Sequence, residues 1–423
     1  MKRNLMVDAS RIAADIDALA SITEPDRPYT RRAFTPLFLE GRHLLEARFQ
    51  SAGLETRIDA AGNLIGRRPG TDPGRGTLML GSHSDTVPEG GRFDGIAGVV
   101  AALEVARTIA DRGITLVHDL EIVDFLAEEV SIFGVSCIGS RGMAGVMPQD
   151  WLIRQAGGLT LEAGLTMVGG NPALSAARSD IRAFLELHIE QGPVLETARL
   201  DIGVVTAIAG ITRIEIIVSG RADHAGTTPM TGRLDALSAA ARLVLAIERL
   251  GIELAAGPGH FAATVGEFEI EPNAANVVPS RVRMLLDVRA ELRPDLDRFH
   301  MLLAEAVEDV NRDTGVAIAA PRVLSDNPAT PMHSLAINAL EAACHATGAS
   351  HHQMASGAGH DAAFMARIGP AGMVFIPCAG GRSHAPEEWA ENADITLGAA
   401  VLLDAILRLD DELKETEDGT HTD

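Results

Sequence analysis

Within residues 79–98, MLGSHSDTVPEGGRFDGIAG, two side chains could hold a metal ion, His83 and Asp94. Imidazole nitrogen and carboxylate oxygen are ligands that a borderline divalent cation takes together, and Asp85, two residues from His83, could orient that imidazole from behind. A surface turn that happens to contain His and Asp would read the same way, so context has to decide. Four other stretches put ionisable residues at the ends of apolar runs: Glu128-Glu129, HIEQG at 188–192, GRADHAG at 220–226 and GGRSHAPEE at 380–388. Two adjacent acids are costly to bury unless a cation or a proton compensates them, so one of the pair could bind metal while the other moves protons. Spacing does not say which. A solvated turn for the Glu pair, a satisfied histidine at 188 and a loop cap at 384 are the plain alternatives for each group alone. Jointly, two imidazoles and two carboxylates, with Asp94 free to bridge, would suit two divalent ions about 3.5–4 Å apart.

Such groups need rigid elements to aim them. The apolar pattern predicts helices over 5–20 and 36–52, strands over 55–58, 63–67 and 77–81, and a helix opening at Asp94 and ending near Gly113. A near-continuous apolar strand over 120–126 runs into the two acids. FLELHIE at 184–190 alternates, placing Leu185, Leu187 and Ile189 on one face and Glu186, His188 and Glu190 on the other. Strand, helix and strand in alternation predict a largely parallel sheet with helices on both faces, and open sheets of this kind collect functional groups at strand ends.

From 211 to 326 the order changes to strand, helix (about 233–250), two strands (264–270 and 282–288), helix (about 295–313) and strand (316–319). That βαββαβ order predicts an inserted two-layer α+β domain with an antiparallel sheet. Residues 327–423 return to the first style, with a helix over 333–347, a strand over 373–377 and a final helix near 395–412. The expected division is therefore 1–210 with 327–423 as one domain and 211–326 as the other. The polar tail ETEDGTHTD is expected to be disordered.

The chain has 423 residues, 46% hydrophobic and 22% charged, enough for two cores. Its net charge of −22 argues against nucleic-acid or anionic-membrane partners. No apolar export segment or membrane span is apparent, so the cytoplasm is the expected compartment. Cys137, Cys344 and Cys378 are odd in number and far apart, which argues against a disulfide framework or a thiolate metal cluster.

Eight segments, in order, resemble one family. GSHSDTVPEGGRFDGIAG, LAEEVSIFG, HIEQGP, GRADHAGTTPM, PNAANVVPS, LLDVR, SGAGHDA and GGRSHAPEE are similar to the M20 metallopeptidase superfamily, and within it to the hydantoinase/carbamoylase amidase branch. That branch includes N-carbamoyl-L-amino-acid hydrolases, β-ureidopropionase and allantoate amidohydrolase. The resemblance implies two divalent transition-metal ions, commonly Zn, Mn, Co or Ni, with Asp94 bridging, His83 and His188 on one ion, and Glu129 and His384 on the other. It also implies that Glu128 is the general base and that Asp85 supports His83. Arg289, on the face of its strand opposite Val282, Met284, Leu286 and Val288, would grip a substrate carboxylate. A surface ion pair with Asp287 is the alternative. His224 and Asn276 would meet the substrate carbonyl oxygen and developing oxyanion from a partner subunit, implying a homodimer built on 211–326 as a dimerisation and lid domain. Gln191 and the Gly357–Gly359 turn would line the pocket, while His360 and Asp361 read as structural.

The implied reaction is cleavage of a C–N bond in an N-carbamoyl (ureido) amino acid. Allantoate or ureidoglycine-type hydrolysis, an aminoacylase or dipeptidase activity, and a non-catalytic binding protein on the same fold remain as alternatives. One departure bears on this choice. Many relatives carry Gly, Ser, Arg, Phe after the two acids, whereas this chain has Val130, Ser131, Ile132 and Phe133, which weakens the case for allantoate.

Overall fold

In a computed structural model that describes residues 7–174 and 176–419, the chain divides into two compact units. The first comprises the described residues of Met1–Thr206, Pro331–Met354 and His360–Asp423; the second comprises Ala207–Thr330 and Ala355–Gly359. The second unit is thus slightly longer than 211–326 and takes up a short later segment as well.

In chain order the main strands are β1 (Glu55–Ile58), β2 (Leu64–Arg68), β3 (Thr77–His83), β4 (Asp119–Phe125), β5 (Ile181–Ile189), β6 (Ile202–Ile208), β7 (Gly210–Ser219), β8 (Phe261–Glu271), β9 (Arg281–Ala290), β10 (Ala317–Ile318), β11 (Arg322–Asn327), β12 (His351–Ser356) and β13 (Ala371–Ile376). The sheet of the first unit runs β1-β2-β4-β3-β5-β13-β6. Its centre, β4-β3-β5-β13, is parallel, and antiparallel pairs flank it on both sides. Register carries the four parallel strands to a common end: His83 pairs with Phe125, and His188 with Phe375. Residues that follow these ends in the chain start from one sheet edge.

β3, β4 and β13 are buried at every residue, as expected for parallel strands covered on both faces. Leu78 and Leu80 pack in one core with the helices Ile96–Asp111 and Asn392–Gly419, while Met79 between them is equally buried from the other side. Each such side chain contributes about 1.5–3 kcal/mol of transfer free energy. Helix Ile96–Asp111 buries thirteen named residues because it is apolar nearly all round. Helix Pro36–Ser51 starts where expected, with Thr35 accepting from the Phe38 amide and Pro36 at its first position.

The second unit has an all-antiparallel sheet, β8-β9-β7-β10, with β11 also on β7. Ile214, Ile216, Val218, Val282, Met284, Leu286 and Val288 form one core with helices Ala236–Ala255 and Arg293–Thr314. β11 and β12 were not anticipated: RVLSDN and HHQMAS are largely exposed or half-buried, so neither shows a hydrophobic period. The last helix extends to Gly419, so residues 415–419 are helical rather than disordered; the first helix starts at Ala9 behind the Asp8 cap, later than the expected residue 5, and residues 5–6 and 420–423 lie outside the described residues. No helix among the described residues is long and apolar enough to cross a membrane.

Candidate metal centre

The parallel strand ends deliver the ionisable residues in sheet order: Glu128 and Glu129 beyond β4, His83 on β3 with Asp94 beyond it, His188 on β5, and His384 beyond β13. Asp94 does not open the next helix, which starts at Ile96 behind a left-handed Gly95 and has no side-chain cap. Its carboxylate is turned inward. Oδ1 stands 3.4 Å from His83 Nε2 and 3.2 Å from His188 Nε2; Oδ2 stands 3.2 Å from His384 Nε2, which is also 3.1 Å from Glu129 Oε1. Two donor groups result, His83–Asp94–His188, which is buried, and Asp94–Glu129–His384, in which His384 is half exposed.

The hydrogen-bond pattern places a proton on one nitrogen of each buried ring. His83 Nδ1 faces the Asp85 carbonyl at 3.0 Å and His188 Nδ1 faces the Ile189 carbonyl at 2.9 Å. A carbonyl only accepts, so each Nδ1 carries a hydrogen and each Nε2 is the atom left facing the Asp94 oxygen; burial opposes charging either ring, but the surrounding carboxylates outweigh it and raise both, His83 well above its ordinary value. His83 Nε2 has no hydrogen-bond partner although it is buried. With the rings protonated each Nε2 meets an Asp94 oxygen as an ion pair, and a divalent cation that displaced those protons would be held by the same atoms. Donors on one tetrahedral ion, with bonds of about 2.1 Å, lie about 3.4 Å apart, which is the spacing seen here. The residues therefore fit a borderline divalent ion.

Electrostatics point the same way. Burial pushes the Asp85 carboxyl up to about 7, the Glu129 and Asp124 charges adding to it and His83 opposing it. Burial likewise drives Glu128 well above the usual carboxylate range, with Glu129, Asp361 and Asp94 reinforcing and His83 opposing. Burial acts upward on Asp94 too, but His188, His384 and His83 outweigh it and hold that carboxyl well below its ordinary value. Hydrogen bonds to Asp94 and Glu129 raise His384 to about 10.

Asp85 acts differently from the sequence reading. Asp85 meets His83 through its backbone carbonyl; its carboxylate oxygen is 3.6 Å away and instead accepts the amides of Glu128 and Glu129 at 3.2 and 3.3 Å. One residue thus aims both the imidazole and the acid pair. Gln191 donates to Asp94 Oδ2 at 2.7 Å. Glu128 Oε2 lies 3.6 Å from His83 Nε2 and belongs to neither donor group. Ala127, Gln191 and His384 hold positive φ of 53°, 57° and 54°, strain concentrated at three of the strand ends that carry the centre.

In the second unit His224 and Asn276 come together on exposed loops, where the Ala225 amide donates to the Asn276 carbonyl at 2.9 Å. His224 Nδ1 accepts from Gly226 and Thr227, which leaves Nε2 outward. Arg289 pairs with Asp287 at 2.8 Å and also donates to the Gly357 carbonyl at 2.7 Å. Gly359 is exposed. Back in the first unit, the His360 ring packs edge-on to His188 with centroids 4.6 Å apart, and Asp361 accepts from Ser140.

Sequence reasoning passed over Arg31, Ser383 and Glu388. Arg31 is buried and donates to the carbonyls of Ser84, Leu19 and Ile22, fixing the turn after His83; burial pulls its guanidinium down to about 10. Nothing in a lone Arg marks it. Ser383 and Glu388 flank His384 inside GGRSHAPEE, and only burial separates Glu388 from its exposed neighbour Glu387.

A largely parallel sheet carrying imidazole and carboxylate donors at one strand edge is the architecture of a candidate metal site in an α/β protein. Residues 79–408 match the family described as Peptidase family M20/M25/M40. The chain is 39% identical over 413 residues to an N-carbamoyl-L-amino-acid amidohydrolase of Paenarthrobacter aurescens, covering 95% of this chain and 98% of that protein. It is 34% identical over 388 residues to an allantoate amidohydrolase of Bacillus subtilis (91% and 93%). A solved hydantoinase/carbamoylase family amidase from Burkholderia multivorans superposes with a TM-score of 0.89 at 36% identity, covering 96% of this chain and 98% of that one. The chain belongs to the M20 peptidase family, in its hydantoinase/carbamoylase amidase branch, and is a hydrolase of amide C–N bonds.

Proposed function

We propose that this chain hydrolyses N-carbamoyl (ureido) amino acids at a centre of two divalent ions. His83, His188 and Asp94 Oδ1 would hold one ion, and Glu129, His384 and Asp94 Oδ2 the other. Bound ions of this kind lower the pKa of water and polarise a carbonyl. The chain's own groups do the rest. Glu128, buried beside the donors and outside both groups, takes the proton of the attacking water and delivers it to the leaving nitrogen. Asp85 holds the Glu128-Glu129 backbone so that this carboxylate stays in reach.

Arg289 binds the substrate carboxylate. Asp287 and the Gly357 carbonyl engage Nε and Nη1, so the planar fork is pre-oriented. The partner subunit's His224 and Asn276 would stabilise the developing oxyanion in a homodimer formed through the second unit. The observation supporting the whole reading is the division of Asp94: each oxygen faces a different donor group, as a bridging carboxylate requires.

The testing experiment is a panel of N-carbamoyl amino acids, allantoate and N-acetyl amino acids, offered to protein reconstituted with Zn, Mn, Co or Ni. Ammonia release confined to N-carbamoyl amino acids is the expected result. Turnover of allantoate alone, or of N-acetyl substrates alone, would replace the substrate assignment; inert metal-loaded protein would favour a binding role.

A further inference from the structure

Glu388 is a buried acid with no part in the chemistry above, 1% exposed and four residues beyond His384. Its Oε1 accepts the backbone amides of Phe93 at 2.8 Å and Asp94 at 3.0 Å. Its Oε2 accepts the Ser383 hydroxyl at 2.7 Å, and that oxygen also lies 2.8 Å from Asp94 Oδ2. One carboxylate therefore ties the loop carrying Asp94 to the loop carrying His384, through the backbone of the first and the side chain next to His384 in the second. The chain also makes room for it. A Cβ at Gly91 would lie 1.8 Å from the Glu388 carboxyl carbon, so only glycine lets the loop pass there. The neighbouring Trp389 packs edge-on against Phe93 with centroids 5.4 Å apart, a second clasp between the same loops.

A buried carboxylate is costly to desolvate, and three directed donors offset that cost only if the two loops keep their relative position. Asp94 and His384 are the residues those loops contribute to one donor group, and Asp94 Oδ2 to His384 Nε2 is the distance they set. We propose that Glu388 is a positioning residue that fixes Asp94 against His384 and so sets the affinity of the Asp94–Glu129–His384 group for its ion. The His83–Asp94–His188 group shares Asp94, but its two imidazoles are aimed by the Asp85 and Ile189 carbonyls, which Glu388 does not touch, so that group should depend on Glu388 less.

The inference rests on reading both groups as ion sites, and the test separates the two. Chelator-treated wild type, Glu388→Ala, Glu388→Gln and Ser383→Ala are titrated with Zn or Mn against a chromophoric chelator, and the apo proteins are melted. Wild type should take up two ions. Glu388→Ala should bind the second equivalent about 10–100-fold more weakly, as loss of a group behind a ligand does, with the first equivalent within about threefold. Glu388→Gln, whose amide can still accept from the backbone and donate to Ser383, should recover most of that loss, and Ser383→Ala should show a smaller loss of the same kind. A Glu388→Ala protein that binds both equivalents like wild type, or that loses both together with its apo melting temperature, overturns the inference while leaving the centre intact. If Glu388→Ala does not fold, unchanged second-site affinity in Ser383→Ala overturns it. Wild type that takes up no second ion removes the proposed centre and this inference together.

Discussion

Gly95→Ala puts the geometry of the centre to a direct test. Gly95 has φ +67°, and a Cβ built there would lie 2.4 Å from Cε1, 2.4 Å from Nε2 and 2.5 Å from Cδ2 of His83. Ordinary contact begins near 3.4 Å, so the ring would have to retreat by about 1 Å. It has nowhere to go, because it is 1% exposed and Nδ1 is held by the Asp85 carbonyl. Metal bonds tolerate about 0.2 Å, so His83 would cease to be a ligand, and a misplacement of about 1 Å is worth on the order of 100-fold in rate. The backbone there, φ +67° with ψ −43°, adds at least about 1–2 kcal/mol of instability for a residue with a Cβ. Gly113→Ala supplies the control: its φ is +60° with nothing within 4 Å of the added Cβ, so it carries the backbone cost without the clash. Metal content by elemental analysis, kcat/KM on N-carbamoyl amino acids and thermal melts should separate the pair. Both variants should melt lower; only Gly95→Ala should lose metal and fall at least about 100-fold in kcat/KM. A Gly95→Ala enzyme with full metal content and turnover within threefold of wild type would refute the assignment of His83.

Three further outcomes are expected. Glu128→Gln should keep its metal and lose about 10²–10⁴ in kcat, as loss of the proton-transfer group does; mixing it with His224→Ala subunits should restore part of the activity if a dimer shares its sites. Arg289→Ala should raise KM for carboxylate substrates and leave amide analogues unaffected, and an equal effect on both would remove the carboxylate assignment. Asp410 accepts from the Val117 and His118 amides and the His118 ring; burial pushes its carboxyl up, but these donors outweigh it and hold it below the ordinary value. Its contribution is therefore present above about pH 4, the unfolded value, and is lost as pH falls through the lower folded one. Asp410→Asn should be destabilised by about 1–3 kcal/mol in urea melts at pH 7, with the gap to wild type closing below about pH 4.

The candidate donors were legible as ionisable residues at, or in the loops after, the ends of apolar strands, because strand period and loop composition are local properties. Which Glu of 128 and 129 sits beside His384 was not legible from spacing; the strained turn at Ala127 turns the two side chains to different partners. Asp94 was expected to open a helix, but the packing of Gly95 against His83 and the hydrogen bonds that the Phe93 and Asp94 amides donate to Glu388 hold it just outside.

Periodicity and residue type alone settled the strands and helices with one buried face and the net acidic charge, and marked the candidate metal ligands, since each depends on neighbours a few positions away. Only the tertiary structure decided that Asp94 divides its oxygens, that Asp85 works through both its carbonyl and its carboxylate, and that Glu388 ties two loops together. Most of those contacts join groups 40 to 300 positions apart whose meeting is set by strand register, and register is a property of the whole sheet rather than of any segment of the chain.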